Sequence, residues 1–180
     1  MPRPGHAWWH VMWHTYGTWL PGDPRGFRDR SHRIHSSGDY KHPPPRGEHT
    51  NLHAFNRQQY HGEVVLRTAA QRLKVRDALV GALLDTEANP LIVAICRVHV
   101  HWIAELPVER DAFEKLIKRA KIESSKAIEH KSNGRGWARG HTNVLIKTPA
   151  QRTSCYFYVR GHQGKNASVW TYKDVASDTD

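Results

Sequence analysis

Apolar and polar positions along the chain follow two rhythms, and their order outlines a fold. Residues 7 to 19, AWWHVMWHTYGTW, are aromatic and β-branched and alternate with period two. Read as a strand, they place Trp9, Val11 and Trp13 on one face and Trp8, His10, Met12 and His14 on the other. Periodicity then stops. From LPGDPRGFRDR through SGDYKHPPPRGEH the chain is dense in Pro, Gly, Asp, His and Arg, the pattern of a long basic loop or insertion spanning about 20–65. Regularity returns at Leu66. Leu66, Ala69, Ala70, Leu73, Val80, Leu83 and Leu84 fall at helical spacings and predict a first helix ending near Asn89-Pro90.

LIVAICRVHVHWI reads as a strand. Phe113, Leu116, Ile117, Ala120, Ala127 and Ile128 then mark a second helix, with Lys115, Lys118, Arg119 and Lys121 as its solvated face. After the glycine-rich SNGRGWARG comes a short strand, TNVLIK. The final helix signals its own start: Thr148 offers a cap hydroxyl, Pro149 suits the first helical position, and Gln151 stands three residues after the cap. PAQRTSCYFYVR is therefore helical, and Gly161 is where it ends or frays. The order is that of one α+β domain over 1–180, with helices packed against an antiparallel sheet.

Composition excludes several classes. No stretch of the sequence approaches the roughly 18 apolar residues of a membrane span, and MPRPGHAWWH lacks the apolar centre of a signal peptide. Cys96 and Cys155 form no CxxC pair, so neither a disulfide framework nor a thiolate zinc site is indicated, and a reducing cytoplasm is the expected setting. The 27 Lys and Arg against 17 acidic residues give a net charge of +10, accompanied by seven Trp and six Tyr. That combination suits nucleic acid, with cations for phosphates and rings for bases.

The candidate chemistry lies in CRVHVHWIAEL. Strand alternation gives Ile92, Ala94, Cys96, Val98, Val100 and Trp102 one apolar face and sets His99 and His101 together on the other, with Arg97 beside them. Their Cα atoms are then roughly 7 Å apart, and the two imidazoles can converge on one divalent ion. A buried histidine is more often a hydrogen-bonded packing residue, so this pair needs a third ligand and a reactive group. The last helix offers both. Tyr158 and His162 are one turn apart on one face if the helix runs through Gly161, and Gln163 replaces His162 if it does not. Tyr156 lies about 200° around from Tyr158 and should point into packing. His10 and His14 are either packing residues or neighbours of the histidine pair.

HTYGTWLPGDPRG, the His99-Val100-His101 strand and YFYVRGHQG together resemble the one-tyrosine HUH nucleases, the single-strand DNA transposases of small insertion sequences and their REP-associated tyrosine transposase relatives. The resemblance covers most of the chain. It implies a ferredoxin-like or RNA-recognition-like sheet with helices on one face. It also implies Mg²⁺ or Mn²⁺ held by His99, His101 and His162 or Gln163, and Tyr158 as a nucleophile that forms a 5′-phosphotyrosine during DNA nicking and strand transfer. Single-stranded or hairpin DNA would be the partner, a homodimer the assembly, and the nucleoid-associated cytoplasm the location. Arg25, Arg28 and Arg30 in the early loop, Arg97, and Lys118 and Arg119 are candidate DNA contacts. The alternatives are a catalytically idle nucleic-acid binder of the same fold, or a metal-dependent nuclease that uses water.

Overall fold

In the computed structural model, which describes residues 2–28, 35–36, 42–60 and 62–172, the chain runs β1 (His6–His14), β2 (Phe27–Arg28), β3 (His35–Ser36), α1 (Thr50–Gln59), α2 (Ala69–Leu84), β4 (Asn89–Ile95), β5 (His99–Pro107), α3 (Arg110–Lys126), β6 (Thr142–Ile146), α4 (Pro149–Arg160), a 3-10 turn (Gly161–Lys165) and β7 (Ser168–Thr171). Five strands form one antiparallel sheet in the order β6-β1-β5-β4-β7. The succession β1-α2-β4-β5-α3-β6 is the β-α-β-β-α-β order of a ferredoxin-like sheet, and β7 extends it beyond β4. No helix among the described residues is long and apolar enough to cross a membrane.

LIVAICRVHVHWI is two strands rather than one. A tight turn at Cys96–Val98 folds β5 back on β4: the Cys96 N–H donates to the His99 carbonyl at 2.9 Å, and the Leu66 N–H donates to the Arg97 carbonyl at 2.8 Å. The turn holds no Gly, Pro or Asn, so the usual sequence punctuation is missing. The hairpin changes which residues share a face. Val93 and Ile95 of β4 join Val100, Trp102, Ala104 and Leu106 of β5 in the main core, whereas Ile92 and Ala94 lie with Ile103 on the opposite face. The single apolar face expected from Ile92 through Trp102 therefore does not exist, and Arg97 is an exposed turn residue rather than a strand neighbour of the histidines.

The main core takes Trp13 and Val11 from β1, Val75, Leu79 and Leu83 from α2, and Phe113, Leu116, Ile117 and Ala120 from α3. Thr68 starts α2 with a reciprocal capping box: its hydroxyl accepts from the Gln71 N–H at 3.1 Å, and the Gln71 carboxamide accepts from the Thr68 N–H at 3.0 Å. The helices are not all on one face. Val159 of α4 packs with Ile92, Ala94, Ile103 and Ile146, flanked by Cys155 and Tyr156. Thus α2 and α3 cover one side of the sheet and α4 crosses the other. The start of α4 forms as its sequence predicts, with the Thr148 hydroxyl accepting from the Gln151 N–H and Pro149 in the first turn.

The segment after β1 is more ordered than a loop. β1 ends at His14 rather than running on to Trp19, because Thr15 bridges to Trp137 and the Thr18 hydroxyl donates back to the Thr15 carbonyl at 2.9 Å. Gly17 has φ +76° and sits against the Gly62 carbonyl, and Gly22 has φ +84° and sits against the backbone of His49 and His53. Both need the left-handed region and a missing Cβ. α1, which the sequence does not announce, is fastened to this segment by the Asn56 carboxamide donating to the Pro21 carbonyl at 3.3 Å. Lys121 also departs from expectation. Its ammonium turns inward, donates to the carbonyls of Ala138, Arg139 and Gly140 at 2.6, 3.0 and 3.0 Å, and lies 5.5 Å from the centre of the Trp13 ring.

Candidate active site: a histidine cluster beside Tyr158

The face of the sheet under α4 is apolar in its middle and imidazole-rich at one end. The pairing register explains why. β1 and β5 run antiparallel with His14 opposite His99 and Met12 opposite His101, so His10 and His14 of β1 share a face with His99 and His101 of β5. His162, in the 3-10 turn after α4, closes the group from above. Ring centroids are separated by 4.9 Å for His99 and His101, 4.6 Å for His101 and His162, 5.8 Å for His99 and His162, 6.1 Å for His14 and His99, and 5.3 Å for His10 and His101.

Hydrogen bonds orient two of the rings. His162 Nδ1 lies 3.0 Å from the Tyr158 carbonyl oxygen. A carbonyl only accepts, so Nδ1 carries a proton, and Nε2 is the nitrogen that can offer a lone pair. His101 Nδ1 lies 3.1 Å from His10 Nε2. When His101 donates in that contact its own Nε2 is left as a lone-pair donor, an orientation typical of imidazoles that bind metal.

Burial favours the neutral form of His10, His14, His99 and His101. It is the main cause that pushes His101 down to about 2, with His99, His162, His10 and His14 adding repulsion, and His99 down to about 4, with His14 and His162 adding repulsion. His10 is likewise lowered to about 4 by burial and by His162, and His14 is lowered by burial and by Arg25. A set of neutral imidazoles is the protonation state a metal needs. Imidazole nitrogens suit first-row transition ions, whereas Mg²⁺ prefers oxygen ligands. The imidazoles of His99, His101 and His162 are thus donors of a kind that a divalent transition ion takes.

Tyr158 stands over the cluster. Its ring centroid is 4.9 Å from that of His162, 5.5 Å from His101 and 6.0 Å from His10, while 55% of the residue stays exposed. Tyr156 instead packs half-buried against the Ile92 and Val159 cluster. α4 ends at Arg160 and continues as the 3-10 turn, which keeps His162 inward and buried and leaves Gln163 exposed.

Cys96 belongs to the site and was hidden from sequence reasoning. Its sulfur and one nitrogen each of His99 and His162 all lie within 4.8 Å of one another. Burial pushes its thiol up to about 12. Only recognition of the Cys96–Val98 turn reveals this position, since an unbroken strand puts Cys96 on the other face. The basic candidates are dispersed. The Arg25 guanidinium is occupied by the Asp23 carboxylate at 2.6 and 2.8 Å and by the Thr18 carbonyl at 2.9 Å, and it stacks 4.2 Å from the centre of Trp19. Lys118 and Arg119 are exposed on α3, on the far side of the sheet from the histidines. Arg28 lies in β2 with its side chain outside the described residues, as is the whole of Arg30.

No family model matches the chain, and no curated protein matches it. Among solved structures, one described as the structure of the REP associates tyrosine transposase bound to a REP hairpin aligns over 88% of this chain and 67% of that chain, with 13% identity and a TM-score of 0.49. What the site can do follows from its own residues.

Proposed function

We propose that the chain is a single-strand DNA nicking and strand-transfer enzyme, a transposase in which Tyr158 is the nucleophile and His99, His101 and His162 hold a divalent ion. The observation that supports this most is the convergence of three imidazoles with one exposed phenol, from β5, α4 and the 3-10 turn that follows it, at ring separations of 4.6 to 5.8 Å. An ion bound there would withdraw charge from a non-bridging phosphate oxygen and favour in-line attack. The rest is the work of the chain. The Tyr158 oxygen forms a bond to phosphorus as the bond from phosphorus to the 3′-oxygen breaks. The phenolic proton leaves to water and the departing 3′-oxygen gains one. The phosphotyrosine bond then retains the free energy needed to rejoin DNA. His10 and the Tyr158 carbonyl act as positioning groups, since each fixes the nitrogen by which His101 or His162 faces the site. The net charge of +10 favours a phosphate-bearing partner, and we place single-stranded or hairpin DNA and a homodimer in the same reading.

The test is a denaturing gel of protein incubated with Mn²⁺ or Mg²⁺ and labelled single-stranded DNA taken from the repeats beside its own gene. Wild type should give a covalent protein-DNA band that Tyr156→Phe keeps. Tyr158→Phe and His101→Ala should reduce it by roughly a thousandfold or more. A band that survives in Tyr158→Phe refutes the assignment, and metal-dependent cutting with no band means that water is the nucleophile.

A further inference from the structure

On the other flank of α4 lies a cleft of about 410 Å³ between that helix and β7, within the range of roughly 300–1,000 Å³ typical of ligand sites. Its walls include Tyr156, Phe157, Arg152, Arg160 and Tyr172, and no carboxylate is among the described residues that line it. Phe157 is 63% exposed and Tyr172 57%. A single exposed ring needs no explanation, but two rings opening into one cleft between two guanidinia do.

Both cations and one ring are held in place while remaining accessible. Arg160 donates to the Tyr156 hydroxyl at 3.1 Å, and the Arg152 guanidinium lies 5.0 Å from the centre of the Trp8 ring. Phe157 stands edge-on to Tyr156, centroids 5.6 Å apart and planes at 82°, which fixes the orientation of its open face. An apolar peptide would match the rings and leave the guanidinia unanswered. A nucleic-acid single strand matches both, with bases for the rings and phosphates for the cations. A duplex does not, because its bases are already stacked.

We propose that this cleft is a base-stacking subsite for single-stranded DNA, which takes an unpaired nucleobase from the strand whose phosphate reaches Tyr158. Phe157 and Tyr158 are both exposed and lie about 100° apart around α4, so a strand wrapping that helix passes from the ring to the phenol. The choice of DNA as occupant rests on the function proposed above; the stacking itself rests on the cleft.

The experiment measures binding of an oligothymidylate carrying one 2-aminopurine, whose fluorescence falls when it stacks, in chelator so that no cleavage occurs. Wild type should quench the probe. Phe157→Ala and Tyr172→Ala should each weaken binding roughly tenfold and lose the quench, whereas Phe157→Trp should keep both. The exposed positions leave melting temperatures unchanged, which separates lost stacking from lost folding. Wild-type affinity in Phe157→Ala overturns the proposal. So does duplex DNA that binds as tightly as the single strand, or RNA that binds more tightly than DNA. The covalent-adduct gel keeps the two readings apart. An adduct with cleft variants that bind normally removes the cleft alone; cleft-dependent binding without any adduct removes strand transfer and leaves the cleft.

Discussion

Acid should unfold this protein through its histidine cluster before its carboxylates are protonated. His10 and His99 are lowered from 6.5 to about 4 and His101 to about 2, chiefly by burial. The folded state thus binds fewer protons than the unfolded chain between those values and 6.5, and stability must fall as pH falls through that window. Between about pH 7 and about pH 5 each ring contributes a loss of just under about 2 kcal/mol, by the difference in proton binding between its two states. Three independent rings would total just under about 6 kcal/mol, and because the rings repel one another and share that cost, the expected loss is between about 2 and about 6 kcal/mol. For a chain of this size that is a fall in melting temperature on the order of 10 °C. The assay is thermal melting of metal-free protein in chelator across this pH range, followed by circular dichroism. Replacement of one titrating ring by His10→Gln should make the slope shallower, and a bound divalent ion should shift the acid transition to lower pH. A melting temperature that stays flat between these two pH values would refute the claim that burial keeps the cluster uncharged.

Three other outcomes follow from particular contacts. Lys121→Met leaves the carbonyls of Ala138, Arg139 and Gly140 without their shared donor and should cost about 1–3 kcal/mol in urea unfolding, whereas Lys118→Met, at an exposed position on the same helix, should cost almost nothing. Gly22→Ala would set a Cβ 2.5 Å from the His53 nitrogen at φ +84°, so it should destabilise the chain by more than about 1 kcal/mol and expose α1 to proteolysis. Binding of a single-stranded oligonucleotide should weaken linearly with the logarithm of salt concentration; a flat response measured by fluorescence anisotropy would argue against a phosphate-bearing partner.

Much of the architecture was legible because its signals are local. Thr148, Pro149 and Gln151 mark the start of α4, and the period-two aromatic pattern marks β1. The strongest misreading lay at Cys96–Val98, where the chain reverses without a turn residue and a continuous apolar run conceals two strands. The buried faces of β4 and β5 are both occupied, one by α2 and α3 and the other by α4, so neither strand shows the alternation that would have revealed the break. That reversal placed Cys96 and Ala94 on the wrong side on paper, while His99 and His101 kept their shared face because both lie after it. The companionship of His10 with His101 is a matter of register, set by sheet pairing rather than by local sequence. α1 was missed because no residue of it is buried and it therefore has no apolar stripe to read.

Of the twelve residues of α4 only Val159 is buried, yet the short stretch from Tyr158 to His162 carries both the phenol and the imidazole that faces β5 from above. The Nδ1 bond from His162 to the Tyr158 carbonyl ties them into one lever. A tilt of that lever would carry the phenol and the imidazole together. Two rings of the cluster thus belong to the sheet and two groups to the end of one helix, and any displacement of α4 would separate the one pair from the other as a unit.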